Sequence, residues 1–249
     1  MSADSSTADS PAPRDYFVTT RWTMVLSAGR RSSPQSDRAL ADLCQTYWYP
    51  LYAYVRRQGH SMEDAEDLTQ AFFARFLEKN YLEGLSSERG RFRAFLLASL
   101  KHFLANEWDK ATRQKRGGGA RHLSLDWQSA GERYHFDPPD HASPDRLFDR
   151  EWALALLERV IRRLRDECVA DGKENLFEQA KGYLMVGQAA IPYAQAALEL
   201  GMDEGAVRVA VHRLRRRYRQ ILRDEIAQTL SDPGGVDEEL RSLQAALAS

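Results

Sequence analysis

"IPYAQAALELGMDEGAVRVAVHRLRRRYRQIL", residues 191–222, decides how the second half of this 249-residue chain folds. Pro192 suits the first turn of a helix, where its fixed φ is already helical and its missing N–H is not needed. Ala194 to Leu200 is short and apolar, and Gly201 is the kind of residue on which a helix terminates. Met202 is expected to turn inward, and Asp203 offers a carboxylate to the unpaired amides that open a second helix. Two helices joined by a tight, glycine-containing turn form a helix-turn-helix unit.

At 100° per residue the second helix separates into faces. Val207, Val211, Leu214 and Tyr218 share one stripe, which is expected to be core. Glu204, Arg208, His212, Arg215 and Arg219 fall on the adjoining face, and Arg213, Arg216 and Arg217 lie on the far side. Residues 207–222 hold six arginines and one histidine and no acid. A merely solvated helix intersperses Glu with Arg at i, i+4, and this stretch does not. Arginine grips phosphate or holds guanine bidentately, and a recognition helix turns such a face into the major groove. Glu204, Arg208, His212, Arg213, Arg215, Arg216 and Arg219 are therefore the candidate DNA contacts of this helix. His212 alone reads as a phosphate contact or a bystander rather than a metal ligand.

The whole chain has a net charge of -1, so this arginine surplus is local. A second concentration lies in residues 89–121, where nine Lys and Arg face only Glu107 and Asp109. Two basic patches on an otherwise acidic chain point to two contacts with a polyanion. The 43% hydrophobic and 29% charged content is that of an ordinary soluble globular protein. No apolar run approaches the roughly 18 residues of a membrane helix. The start, "MSADSSTADSPAPRD", has neither the basic nor the apolar part of a secretory signal and reads as a disordered tail. Cys44 and Cys168 are far apart in sequence and read as reduced, buried thiols.

The remainder is helical in pattern, with no β-branched alternation. Helices are expected near 36–57, 61–79, 90–116, 147–170, 174–185, 192–200, 203–229 and 236–247. Pro50 should bend the first or mark a junction, and Gly59 should end it. Ser61, three residues before Asp64, is the expected cap of the second. Between 117 and 146 the sequence is rich in Gly, Pro, Asp and Ser without periodicity and reads as a linker. The expected organisation is an N-terminal extension (1–35), a helical domain (36–116), the linker (117–146), a helix-turn-helix domain (147–231) and a C-terminal extension (232–249).

"DAEDLTQAFFARFLEKN" (64–80), "RFRAFLLASLKHFLANEWDKATRQKR" (91–116), a linker, "LLERVIRRLRDE" and the helix-turn-helix follow one another in an order that resembles bacterial sigma-70-type RNA polymerase sigma factors of the extracytoplasmic-function (ECF) subfamily. The resemblance implies an all-α fold of two small helical domains, a region 2-like bundle and a region 4-like helix-turn-helix domain, joined by a flexible linker. It implies that Asp64, Asp67, Leu68, Gln70 and Phe73 dock on the clamp helices of the polymerase β′ subunit. A polar rim beside apolar anchors is how a moderate interface is built. It also implies that Arg93, Lys101, His102, Trp108, Lys110, Arg113, Lys115 and Arg116 read and open the minus-ten element. Opening DNA needs charge for the backbone and flat surfaces for unstacked bases. Phe92, Phe95 and Phe103 are expected to be core, as are at least two of Phe72, Phe73 and Phe76. The chain departs from the common pattern at Phe95, His102, Ala71 and Ala210, where Trp, Asn, an acid and Arg are usual.

The implied partners are core RNA polymerase, through its β′ and β subunits, and promoter DNA, with an anti-sigma protein as a further candidate. No metal, cofactor, small-molecule substrate, membrane contact or active site is expected, and the location is expected to be cytoplasmic. One rival reading is a free-standing helix-turn-helix regulator, with 36–116 sensing or dimerising. Another is a helical phosphohydrolase holding Mg²⁺ on Glu63, Asp64, Glu66 and Asp67. The latter requires a second acidic helix facing the first, and the next helix is basic.

Overall fold

The computed structural model describes residues 34–77, 91–113, 143–184 and 191–248, and among these the fold is all-α. The helices are α1 (Pro34–Arg57), α2 (Met62–Leu77), α3 (Phe92–Arg113), α4 (Pro144–Ala170), α5 (Glu174–Ala180), α6 (Tyr193–Leu200), α7 (Glu204–Ala227) and α8 (Val236–Ala248), with 3₁₀ turns at Lys181–Tyr183 and Pro233–Gly235. The N-terminal tail and most of the expected linker lie outside the described residues.

Local chemistry sets the boundaries. Gly59 takes φ 96° after α1, a conformation that costs a residue with a Cβ. The Ser61 hydroxyl accepts from the Asp64 amide at 3.0 Å and donates to its carboxylate at 2.7 Å, closing the first turn of α2. α4 begins earlier than its periodicity indicates: Ser143 accepts from the Arg146 amide at 3.3 Å, and Pro144 fills the first helical position. Gly201 ends α6 at φ 63°, and the Met202 amide reaches back to the Ala197 carbonyl at 3.0 Å. Met202 itself stays 37% exposed and does not turn inward, because the left-handed step at Gly201 carries it to the outside of the turn. Asp203 then caps α7 by accepting from the Ala206 amide at 2.9 Å.

Two apolar cores result. In the first, Tyr47, Leu51 and Tyr52 of α1 pack with Phe72, Phe73 and Phe76 of α2 and Phe92, Leu96 and Phe103 of α3. Phe148, Trp152 and Leu156 of α4 complete it, with Ile226 of α7 and Val236 and Leu243 of α8. In the second, Val160, Leu164 and Cys168 of α4 meet Phe177 of α5, Ala196 and Ala197 of α6, and Val207, Val211 and Leu214 of α7. Helix α4, 27 residues and about 40 Å long, thus begins in one core and ends in the other. The stretches flanking α3 and α7 also touch directly: the Phe92 amide donates to the Thr229 carbonyl at 3.0 Å.

Two buried carboxylates fasten these layers. Glu225 of α7, 2% exposed, accepts from Arg159 Nε and Arg163 Nη1 of α4, both at 2.8 Å. Glu239 of α8, 1% exposed, accepts from Arg93 Nε of α3 at 2.6 Å and lies 3.3 Å from Arg91 Nε. Removing one member of such a buried pair strands the other charge, at a cost of about 3–5 kcal/mol.

Trp152 is fully buried where α4 joins the first core. Trp152→Ala is expected to destabilise the chain by about 3–5 kcal/mol, the usual cost of truncating a buried aromatic. Trp48 and Trp152 both sit in the first core. In the parent chain, tryptophan fluorescence and far-UV circular dichroism are expected to report one shared urea midpoint, because α4 couples the two cores.

Candidate nucleic-acid interface

Helices α2 and α3 present their polar faces to one cleft of about 880 Å³. Asp64, Asp67 and Leu68 of α2 line one wall, and Lys101, Leu104 and Trp108 of α3 line the other. The resemblance assigned the α2 residues to polymerase and the α3 residues to DNA, and it gave no sign that the two sets share a cleft. Trp108 is 70% exposed, an unusual state for so large an apolar ring. It offers the flat surface on which an unstacked base can lie. Gln70 is half-buried and is not among the cleft's lining residues.

Phe73 is a correction. At 1% exposure it packs on Phe72, 5.4 Å between ring centres, and has no surface left for a partner. All three phenylalanines of α2 are core, because they follow the helical repeat on the face turned to α1 and α3. Phe92, Phe95 and Phe103 are core as well.

The α3 cations differ in what holds them. Arg93 is 12% exposed and lies 4.5 Å above the Trp152 ring. It is bonded to Glu239 and to Asp149. Burial works against its charge, yet the hydrogen bond and the field of Glu239 and the field of Asp149 hold it above the ordinary arginine range. Lys101 is exposed but pairs with Asp145 at 2.7 Å, which raises its pKa. Lys110 pairs with Glu107 at 2.7 Å, one turn away. His102 is exposed. The side chain of Arg113, and the whole of Lys115 and Arg116, lie outside the described residues.

On α7 the expected division holds residue by residue. Val207 and Val211 are 1% exposed and Leu214 is 7% exposed, with Tyr218 half-buried. Glu204, Arg208, His212, Arg213, Arg215, Arg216 and Arg219 are all exposed. The expectation of a helix without i, i+4 pairs needs one correction: Glu204 and Arg208 pair at 2.5 Å across the first turn, beyond the acid-free stretch. Arg208 also lies 4.5 Å over the Tyr193 ring, which stacks on Tyr183 at 4.7 Å. Arg215 Nε donates to the Tyr183 carbonyl at 3.0 Å. The tyrosine platform therefore aims two arginines of the exposed α7 face, and a flat charged group so positioned loses less freedom on binding. Neither tyrosine has a sequence signal, since they come from separate short elements. Arg217, off this face, instead ties α7 to Glu167 of α4 at 2.6 and 2.7 Å.

Among the described residues, no helix is long and apolar enough to cross a membrane, and no group of three His, Cys, Asp or Glu stands close enough to hold a metal ion. Cys168 is a free, buried thiol, and burial raises its pKa. The fold and its surfaces agree with what comparison finds. Residues 43–114, which span most of α1 and all of α2 and α3, match the family Sigma-70 region 2. This stretch is a sigma-70 region 2 domain. No curated protein and no solved structure matches it. A region 2 domain supports a role in transcription initiation, with core RNA polymerase on promoter DNA.

The Arg217 hydrogen bond draws the Glu167 pKa below the ordinary carboxylate value. The pair therefore stabilises the fold above that ordinary value, and the contribution is lost as pH falls through the lowered folded value. Glu167 is 35% exposed, so Glu167→Gln is expected to cost only about 0.2–1 kcal/mol near neutral pH. Thermal melts of parent and variant should differ at pH 7 and converge in acid.

Proposed function

We propose that this chain is a sigma factor of the ECF type and reads two promoter elements with two separate surfaces. The α2 wall of the cleft, Asp64, Asp67 and Leu68 with Gln70 beside it, docks on core polymerase. The α3 residues Lys101, His102, Trp108 and Lys110, continuing into Arg113, Lys115 and Arg116, hold the minus-ten region as it opens. Helices α6 and α7 act as a helix-turn-helix and present Arg208, His212, Arg213, Arg215, Arg216 and Arg219 to the minus-thirty-five element. The chain has no active site and works in the cytoplasm. The observation that carries this reading is the α7 face: its arginines are exposed while Val207, Val211 and Leu214 anchor the same helix. That is the construction of a recognition helix. The sigma-70 region 2 match favours a polymerase-bound factor over a free-standing regulator.

Transcription in vitro with core polymerase on a genomic fragment library tests it. The parent chain is expected to give discrete start sites. Arg208→Ala with Arg215→Ala should reduce promoter-specific starts about 10-fold or more, at roughly 1–3 kcal/mol per lost contact, and leave core capture intact. An unchanged start-site profile contradicts the assignment of the α7 face. Leu68→Ala with Gln70→Ala should first weaken capture of core polymerase. If it alters only DNA affinity, the docking assignment fails.

A further inference from the structure

The cations at and near the start of α3 are already occupied, and every acid that occupies them comes from the other half of the chain. Arg91 is bonded to Glu238 and lies against Glu239. Arg93 is bonded to Glu239 and Asp149. Lys101 is bonded to Asp145. Asp145 and Asp149 lie in the first two turns of α4, and Glu238 and Glu239 lie in the first turn of α8. The hydrogen bonds span 44 to 147 residues of sequence, so they are not neighbours thrown together by a turn.

The acids also reproduce what a nucleic-acid backbone offers. Carboxylate oxygens stand at hydrogen-bond distance from the guanidinium groups of Arg91 and Arg93 and the ammonium group of Lys101. The arrangement is held in place from beneath. Val236, Leu243 and Ala246 bury the apolar side of α8 in the first core, beside Trp152, over which the Arg93 guanidinium lies. Arg223 of α7 holds Asp237, the neighbouring acid, at 2.6 Å. Glu239 is thus buried against the start of α3, while Glu238 reaches Arg91 from the exposed rim.

We propose that α8, with the first turns of α4, is an intramolecular acidic cover that occupies Arg91, Arg93 and Lys101 and keeps the free chain off DNA. The inference rests on the reading of α3 as a DNA-facing helix. A phosphate backbone and the cover compete for the same guanidinium groups, so DNA binds with full affinity only when Glu238 and Glu239 let go. Arg93 in particular reaches DNA only after leaving Glu239, Asp149 and the Trp152 ring.

The test measures binding of the full-length chain to a fluorescein-labelled forked DNA duplex by anisotropy, over a series of salt concentrations. Glu238→Gln with Glu239→Gln keeps the side-chain shapes and removes the charges. It is expected to tighten binding about 10-fold at low salt and to steepen the dependence of log affinity on log salt by about one, for the released Arg91, since Asp149 still holds Arg93. Glu239 is buried, so a second variant guards against misfolding. Asp145→Asn with Glu238→Gln changes only exposed acids, 56% and 65% exposed, and should tighten binding by a smaller factor, about threefold. Adding Arg91→Ala and Arg93→Ala to the first variant should abolish its gain. Unchanged affinity and slope in both variants overturns the cover, as does a gain that persists without the two arginines. Capture of core polymerase by the parent chain is scored separately. Its loss would count against the polymerase reading and leave the anisotropy result to decide the cover.

Discussion

The structure depends on a helix that belongs to two cores. Helix α4 places Phe148, Trp152 and Leu156 among the aromatic side chains of α1, α2 and α3, then continues without a break to place Val160, Leu164 and Cys168 under α5, α6 and α7. A continuous helix is stiff over this length, so the position of one core fixes that of the other. Helix α7 repeats the constraint in reverse, since its first half lies in the second core and Ile226 lies in the first. The buried Glu225 pins the two helices together through Arg159 and Arg163.

This rigidity conflicts with reading two promoter elements at once. Elements centred about 25 base pairs apart stand roughly 85 Å apart at 3.4 Å per base pair. Helix α7 has 24 residues, about 36 Å, and its far end is fastened to the first core. The described arrangement therefore suits the chain off the promoter. Simultaneous contact requires α4, α7 and α8 to give up their places against α1, α2 and α3. Such an exchange exposes apolar surface unless a partner covers it, and it frees Arg91, Arg93 and Lys101 in the same step. The acidic cover and the compact arrangement are thus two aspects of one state.

Much of the fold was legible because its signals are local. Ser61, Asp203 and Gly201 each act on the nearest turn, and the α7 stripe follows from the helical repeat alone. The Ser143–Pro144 start of α4 was also written in the sequence, as a cap followed by a proline, but it was hidden inside a stretch that composition marked as linker. Phe73 misled because the resemblance set it with Leu68 as a docking residue, whereas packing turns it to the core. The ion pairs of Arg93 with Glu239 and of Lys101 with Asp145 left no trace, since nothing periodic connects residues so far apart. The same holds for the Tyr183–Tyr193 platform under Arg208.

The central claim is that the free chain holds its helix-turn-helix against region 2 and separates the two on the promoter. Spin labels at Asn106 of α3 and Gln195 of α6, both exposed, measure this directly once Cys44 and Cys168 are replaced by Ala. The account predicts one narrow, short distance in the free chain. It predicts a longer distance, approaching the roughly 85 Å spacing of the two elements, in the complex with core polymerase and promoter DNA. An identical distance distribution in the free and promoter-bound states would contradict it.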